Sequence, residues 1–298
     1  MKFTARSTAE QVTEGLDLTG KTAVITGVSS GLGFETMRVL CMRGARVIAL
    51  ARTLEKAERA CASVSGATLP LACELGNWSS VREAARTIRD IDSPVDMLIC
   101  NAGMISTKKI ARAHGLEMQF ATNHMGHFIL AYHLMGQIKE APQGRAVLVS
   151  SSAHRAFTVK GGIDFDNLDA HRRCSPFKFY GQSKMANLLH AKALATRLAG
   201  TGATANAVDP GVIRTGLGHD GGIPLMTAMM MITRPLQKNI PQGAATQCLV
   251  ATRPELAEVS GKYFADCKEA GHRPLANDVV LIEKLWRYSE AVAAPYLE

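Results

Sequence analysis

The sequence predicts an α/β fold of 298 residues in one domain, a doubly wound parallel sheet of about seven strands with helices on both faces. Three observations carry this expectation. Short apolar runs alternate with stretches of helical spacing from Thr22 to Cys100, the pattern that a parallel sheet with right-handed crossovers requires. The first run leads straight into a glycine loop and then a helix. The fourth ends in Asn101-Ala102-Gly103, at the carboxyl edge where open sheets of this kind take their ligands.

Residues 1–20 form a polar leader in which Gly15, Asp17 and Gly20 supply turns. Thr22–Thr26 is nearly all apolar, as expected for a strand covered on both faces. Next come Gly27, Val28, Ser29, Ser30, Gly31, Leu32 and Gly33, opening a helix that passes through Met37, Leu40 and Cys41. Strand, glycine loop and helix in this order aim backbone N–H groups and a helix N-terminus at a pyrophosphate, as in Rossmann-type folds. Arg46–Arg52 reads as the second strand, and the acidic residue that would bind a free ribose 2′-hydroxyl is absent from its end. Ala51 leaves room there and Arg52 offers a planar cation suited to a 2′-phosphate. NADP(H) is therefore expected ahead of NAD(H). A helix near Leu54–Val64, a strand at Thr68–Cys73, a helix at Ser79–Ile91 and a strand at Val95–Cys100 complete the first half.

In the second half, Ala146–Val149 is a strand that delivers Ser150, Ser151 and Ser152 to the same edge as Asn101. His154–Lys178 is polar and irregular, and reads as a surface excursion. A helix then begins near Phe179, followed by a strand at Ala203–Val208 and the turn Asp209-Pro210-Gly211. Residues 216–240 open on glycines and become methionine-rich, which suggests a substrate lid with an adaptable lining. Gln242–Ala251, Tyr263–Ala265 and Val279–Arg287 read as helix, short strand and helix.

Tyr180 and Lys184 are four apart, so on a helix both side chains lie on one face. A phenol with an unperturbed pKa of about 10 is a poor base at neutral pH, but an ammonium beside it favours the phenolate. At an effective dielectric of about 20 the pair is worth at most about 4 kcal/mol at 4 Å. A lowering by a unit or two is the expectation, which suits a proton carrier near physiological pH.

Several function classes are disfavoured. The net charge of +8 is spread along the chain and aromatics make up 5% of it, so nucleic acid is not an expected partner. The seven cysteines show no paired spacing, which predicts reduced thiols and neither zinc nor a disulfide framework. His124 and His127 are three apart but lack a third ligand, so packing or hydrogen bonding is expected there and no metal. Ser151 and His154 lack the nucleophile elbow of a hydrolase. Neither a transmembrane segment nor a signal-peptide core is visible, and a cytoplasmic protein is expected.

Six elements in order, Thr26-Gly27-x-x-x-Gly31-x-Gly33, Asn101-Ala102-Gly103, Asn123, Ser151, Tyr180-x-x-x-Lys184 and Pro210-Gly211, resemble the short-chain dehydrogenase/reductase family over residues 18–265. Ser-Thr-Ala-Glu before the first strand, the run Phe120–Phe128 and the insertion between serine and tyrosine look most like its retinol-dehydrogenase and WW-domain-oxidoreductase branch. The resemblance implies that Asn123 interrupts a helix to hold a water linked to Lys184. It implies too that Ser151 binds the substrate oxygen, Tyr180 is the acid/base and Lys184 binds the nicotinamide ribose. Val212, Thr215 and the backbone after Pro210-Gly211 would fix the carboxamide. Two features depart from the pattern. Glu74, followed by Leu75, stands where most relatives have Asp, and would reach the adenine amine with a longer arm. Among the three adjacent serines, alignment to Val-Ser-Ser-x-Ala-His selects Ser151, within one residue.

The expected activity is NADP(H)-dependent interconversion of a small lipophilic alcohol and its aldehyde or ketone. A cofactor-binding regulatory protein with little turnover is the alternative. Small residues such as Ser183 and Ala186 on the Tyr180 helix are compatible with a homodimer, and a monomer equally so.

Overall fold

A computed structural model describes residues 3–106, 110–213 and 237–298. Its centre is an eight-stranded sheet. The strands are β1 Thr22–Thr26, β2 Arg46–Ala51, β3 Thr68–Ala72, β4 Met97–Cys100, β7 Arg145–Val149, β8 Thr204–Asp209, β9 Tyr263–Ala265 and β10 Lys268–Glu269. They lie in the order β10-β9-β8-β7-β4-β1-β2-β3 and are parallel except for β10. A separate hairpin pairs β5 Arg112–Ala113 with β6 Leu116–Glu117.

Because side chains alternate across a strand, the sheet feeds two cores. One face carries Val24, Ile48, Leu98 and Leu148 against α4 Trp78–Arg89, α6 Gly126–Glu140, α8 Pro176–Arg197 and the C-terminal helix α10 Val279–Ala293. The other carries Ala23, Ile25, Val47, Ile99 and Val147 against α2 Gly31–Met42, α3 Leu54–Ala62 and α9 Ile240–Thr252. Double burial explains why these strands read as unbroken apolar runs.

Seven parallel strands match the expectation. The eighth, β10, is a two-residue antiparallel return made possible by Asp266 and Cys267 at φ of 54° and 60°. The leader contains a short helix, α1 Ala9–Val12, whose Thr8 and Gln11 form a capping box and whose Ala9 and Val12 are buried. The excursion after β7 contains α7 Ala153–Ala156 and buries Ile163 and Leu168. Helix α8 starts three residues earlier than expected, with Pro176 in its first turn, where a missing N–H costs nothing.

All seven cysteines are free thiols; six are buried and Cys174 is half-buried. Burial pushes the Cys41 thiol up to about 11 and that of Cys73 up to about 12. Among the described residues no helix is long and apolar enough to cross a membrane.

Candidate active site

The chain runs outward from β1 through β2 to β3 and then crosses back to β4 on the other side of β1, so the carboxyl ends of β1 and β4 flank the switch point. The glycine loop lies there. Gly27 and Gly31 have positive φ, 76° and 61°, which a side chain would strain. A Cβ on Gly33 would sit 2.3 Å from the Gly27 carbonyl oxygen, so α2 packs onto the loop with no room for a methyl. Ser29 and Ser30 are exposed, and Ser30 caps α2 in extended backbone without a side-chain hydrogen bond. The first-turn N–H groups of a twelve-residue helix therefore open onto a glycine-rich cradle with no side-chain cap, a fit for a dinucleotide pyrophosphate.

Asn101 lines this cradle from the next strand. Its Nδ2 donates to the Thr26 carbonyl at 2.9 Å, and its Oδ1 accepts from Gln247 at 3.2 Å. The Thr26 hydroxyl accepts the backbone N–H groups of Asn101 and Ala102 at 2.9 and 3.0 Å. Asn101 thereby knits the ends of β1 and β4 together. Gly103 follows, and a Cβ there would lie 3.3 Å from the Lys184 ammonium.

At the adenine end the structure joins two residues that the sequence assigned separate tasks. Arg52 Nε lies 3.1 Å from Glu74 Oε2, with side chains 70% and 37% exposed. A surface pair of this kind contributes about 0–1 kcal/mol, so a dianionic phosphate can displace the carboxylate. Leu75 is buried, and its carbonyl oxygen would be 2.5 Å from a Cβ on Gly126, which seats this turn against α6.

Helix α8 carries Tyr180 and Lys184 to the same rim. A Cβ on Gly181 would lie 2.5 Å from the Phe157 carbonyl, so the helix rests directly on the chain that follows the serines. The three serines divide their work. Ser150 is buried and donates to the Lys184 carbonyl at 2.7 Å, Ser152 donates its N–H to Asp209 at 2.7 Å, and the Ser151 hydroxyl accepts the Ala153 N–H at 3.2 Å and acts electrostatically on the Tyr180 phenol. Of the three, only Ser151 acts on the phenol.

The electrostatics depart from expectation. Burial pushes the Tyr180 phenol up to about 12, although the Ser151 hydroxyl pulls the other way. Lys184 does not reverse this. Its ammonium is 5.7 Å from the ring centroid and donates to the Val149 carbonyl at 3.1 Å, and burial brings its own pKa down to about 8. Desolvation of the phenol outweighs the neighbouring cation.

The helix break expected at Asn123 is a π-turn, Ala121–Met125, between α5 Met118–Phe120 and α6. Its side chain is committed: Oδ1 accepts from the Met104 N–H at 2.8 Å, and Nδ2 donates to the Met104 carbonyl and the Ser183 hydroxyl at 2.9 and 3.1 Å. The Asn123 carbonyl accepts from His127 Nδ1 at 2.9 Å, and His127 Nε2 lies 2.9 Å from the Thr26 hydroxyl. Because that hydroxyl already accepts two N–H groups, it donates to Nε2, which leaves the proton of the neutral ring on Nδ1. Burial keeps His127 neutral by bringing its pKa down to about 4. His124 bonds Ser289 at 2.9 Å, so His124 ties two helices together and His127 ties its helix to the end of β1.

Pro210 and Gly211 follow β8, Gly211 at φ 85°, and Val212 is exposed. Thr215 and most of the 216–240 lid lie outside the described residues. Sequence reasoning passed over Asp209, which holds both the serine turn and Gly211. A carboxylate at a strand end directly before Pro-Gly was the available signal.

A dinucleotide cradle and a phenol on one rim are what hydride exchange with coupled proton transfer needs, so the fold and site define the class of nicotinamide-dependent oxidoreductases. Known proteins narrow that class. Residues 21–161 match the family model for short chain dehydrogenases. The chain is 42% identical over 301 residues to short-chain dehydrogenase TIC 32 A of Brassica napus, covering 96% of this chain and 93% of that one. It is 38% identical over 280 residues to human retinol dehydrogenase 13, covering 91% and 83%. A solved protein from Mycobacterium paratuberculosis superposes with a TM-score of 0.77 at 30% identity, covering 95% of this chain and 97% of that one. The chain belongs to the short-chain dehydrogenase family, oxidoreductases that act on CH–OH groups and interconvert alcohols and carbonyls.

Proposed function

We propose that the protein uses NADP(H) to interconvert a small lipophilic alcohol and its aldehyde or ketone, with Tyr180 as the proton carrier. The observation that carries this reading is Lys184 on the same helix face as Tyr180, its ammonium 5.7 Å from the centre of the phenol ring, with the glycine cradle on the same rim. The nicotinamide, when bound, supplies or accepts the hydride. Ser151 donates a hydrogen bond to the substrate oxygen and orients it towards the phenol. In the reductive direction Tyr180 gives its proton to that oxygen; in the oxidative direction the phenolate takes it back. Lys184, as an ammonium, holds the ribose and stabilises negative charge on the phenol oxygen. The backbone after Pro210-Gly211, with Val212 and Thr215, orients the carboxamide.

Burial of Tyr180 favours the protonated phenol at neutral pH, which suits carbonyl reduction. Arg52 at the end of β2, without an acidic residue beside it in the strand, supports the phosphorylated dinucleotide. The retinol dehydrogenases among the relatives support a lipophilic substrate. A panel of lipophilic alcohols and carbonyls followed by NADPH absorbance tests the proposal: turnover of several members with NADPH, and slower turnover with NADH, is expected. No turnover on the panel refutes it. A cytoplasmic location is part of the proposal, and cell fractionation decides it against an organellar one, since the two TIC 32 relatives are named chloroplastic.

A further inference from the structure

Asp209 ends β8 at the sheet rim and is only 6% exposed. Its carboxylate receives three donors from three separate segments. The Ser152 N–H reaches Oδ2 at 2.7 Å, the Tyr263 hydroxyl reaches the same oxygen at 3.0 Å, and the Gly211 N–H reaches Oδ1 at 2.8 Å. Three donors and no partner acceptor is the coordination of an ionised carboxylate, which only accepts. The serine turn, the Pro210-Gly211 turn and the edge strand β9 thus converge on one side chain. Its charge also acts across the site, raising the pKa values of both Lys184 and Tyr180.

We propose that Asp209 is a positioning residue for this reaction: its carboxylate clamps the serine turn to the Pro210-Gly211 turn and so keeps the Ser151 hydroxyl in register with the phenol. The inference rests on the function proposed above. Ser151 sits one residue from the clamped N–H and Lys184 contacts the carbonyl of Val149, so displacement of the turn moves the substrate-binding hydroxyl relative to the phenol. The titratable neighbours of Asp209 are Tyr180 and Lys184 from α8, His154 from α7 and Tyr263 from β9. Beyond them stand Arg155, which acts on Tyr263, and the Lys238–Asp266 pair against Gly211; His127 from α6 faces Lys184. Burial lowers the pKa of His127 and of His154, and Asp209 is the carboxylate that acts on Lys184.

The test compares wild type with Asp209→Asn and Asp209→Glu. An amide keeps the shape, removes the charge and presents an N–H to at least one of the three donors. Steady-state assays should give a kcat at least tenfold lower for Asp209→Asn, with partial recovery in Asp209→Glu. The Ser152 and Gly211 amide protons, followed by ¹H–¹⁵N NMR, should move upfield and exchange faster in Asp209→Asn than in wild type. An unchanged kcat, or unchanged Ser152 and Gly211 amide protons, overturns the inference. The NMR reading needs no turnover, so a wild type inactive on every substrate refutes the proposed function while leaving the clamp test intact. Should Asp209→Asn fail to fold, Tyr263→Phe removes a single donor from the clamp; kcat should fall a few-fold, and wild-type values at every pH overturn the inference.

Discussion

Tyr180 sits between opposing influences, since burial raises its pKa and the Ser151 hydroxyl lowers it. Removing the phenol oxygen should therefore remove the chemistry and spare the cradle. Tyr180→Phe is expected to lower kcat by about 10²–10⁴-fold, the usual contribution of a positioned proton carrier, with dinucleotide affinity by calorimetry within a few-fold of wild type. The pH dependence follows from the same residues. Tyr180 remains protonated up to about 12, and Lys184 loses its proton above about 8. Carbonyl reduction should be level below about 8 and decline above it as the ammonium is lost, in a kcat profile with saturating NADPH; a profile that climbs through that range contradicts the assignment. Arg52 allows a separate check. Hydrogen bonds to charged groups contribute about 1.5–3 kcal/mol, so Arg52→Ala should raise the KM for NADPH about ten- to hundredfold. The KM for NADH should barely move.

At the scale of elements, the glycine loop makes the sharpest demand. A methyl on Gly33 would overlap the Gly27 carbonyl, so Gly33→Ala must push α2 off the loop. Dinucleotide affinity measured by calorimetry should fall at least tenfold while far-UV circular dichroism stays near that of wild type. The elements legible in the sequence were those whose periodicity is long enough to read. The parallel strands appeared as apolar runs because both faces are buried, and Tyr180 and Lys184 shared a face because α8 is regular there. Strands β5, β6 and β10 have two residues each, too few for any period, and are set by turn residues with positive φ such as His114 and Gly115. The Thr8–Gln11 capping box was readable but lay in a segment taken as leader. Spacing alone could not reveal that Arg52 and Glu74 meet, nor that the Lys184 ammonium turns to the Val149 carbonyl, because both depend on tertiary placement.

Across the whole molecule, three histidines lie in the core between α6, α8 and α10, and all three are held neutral by burial. His124 is depressed to about 3 and His127 to about 4, and both nitrogens of His190 lack a hydrogen-bond partner among the described residues. In the unfolded chain these rings take up protons below about 6.5. The unfolded state therefore binds more protons than the folded one between about 4 and 6.5, and stability falls as pH drops through that window. Thermal denaturation should show a Tm that declines steadily below pH 6.5. His190→Leu removes one titrating ring and two unpaired nitrogens, so its Tm should decline less steeply.

One thiol differs from the other six. Cys174 alone is not fully enclosed, and it stands two residues before Pro176, where the helix bearing the proton carrier begins. A maleimide dye added to the native protein should couple there selectively. That gives a ready-made optical reporter at the foot of the catalytic helix, on the natural polypeptide and with no cysteine engineered out.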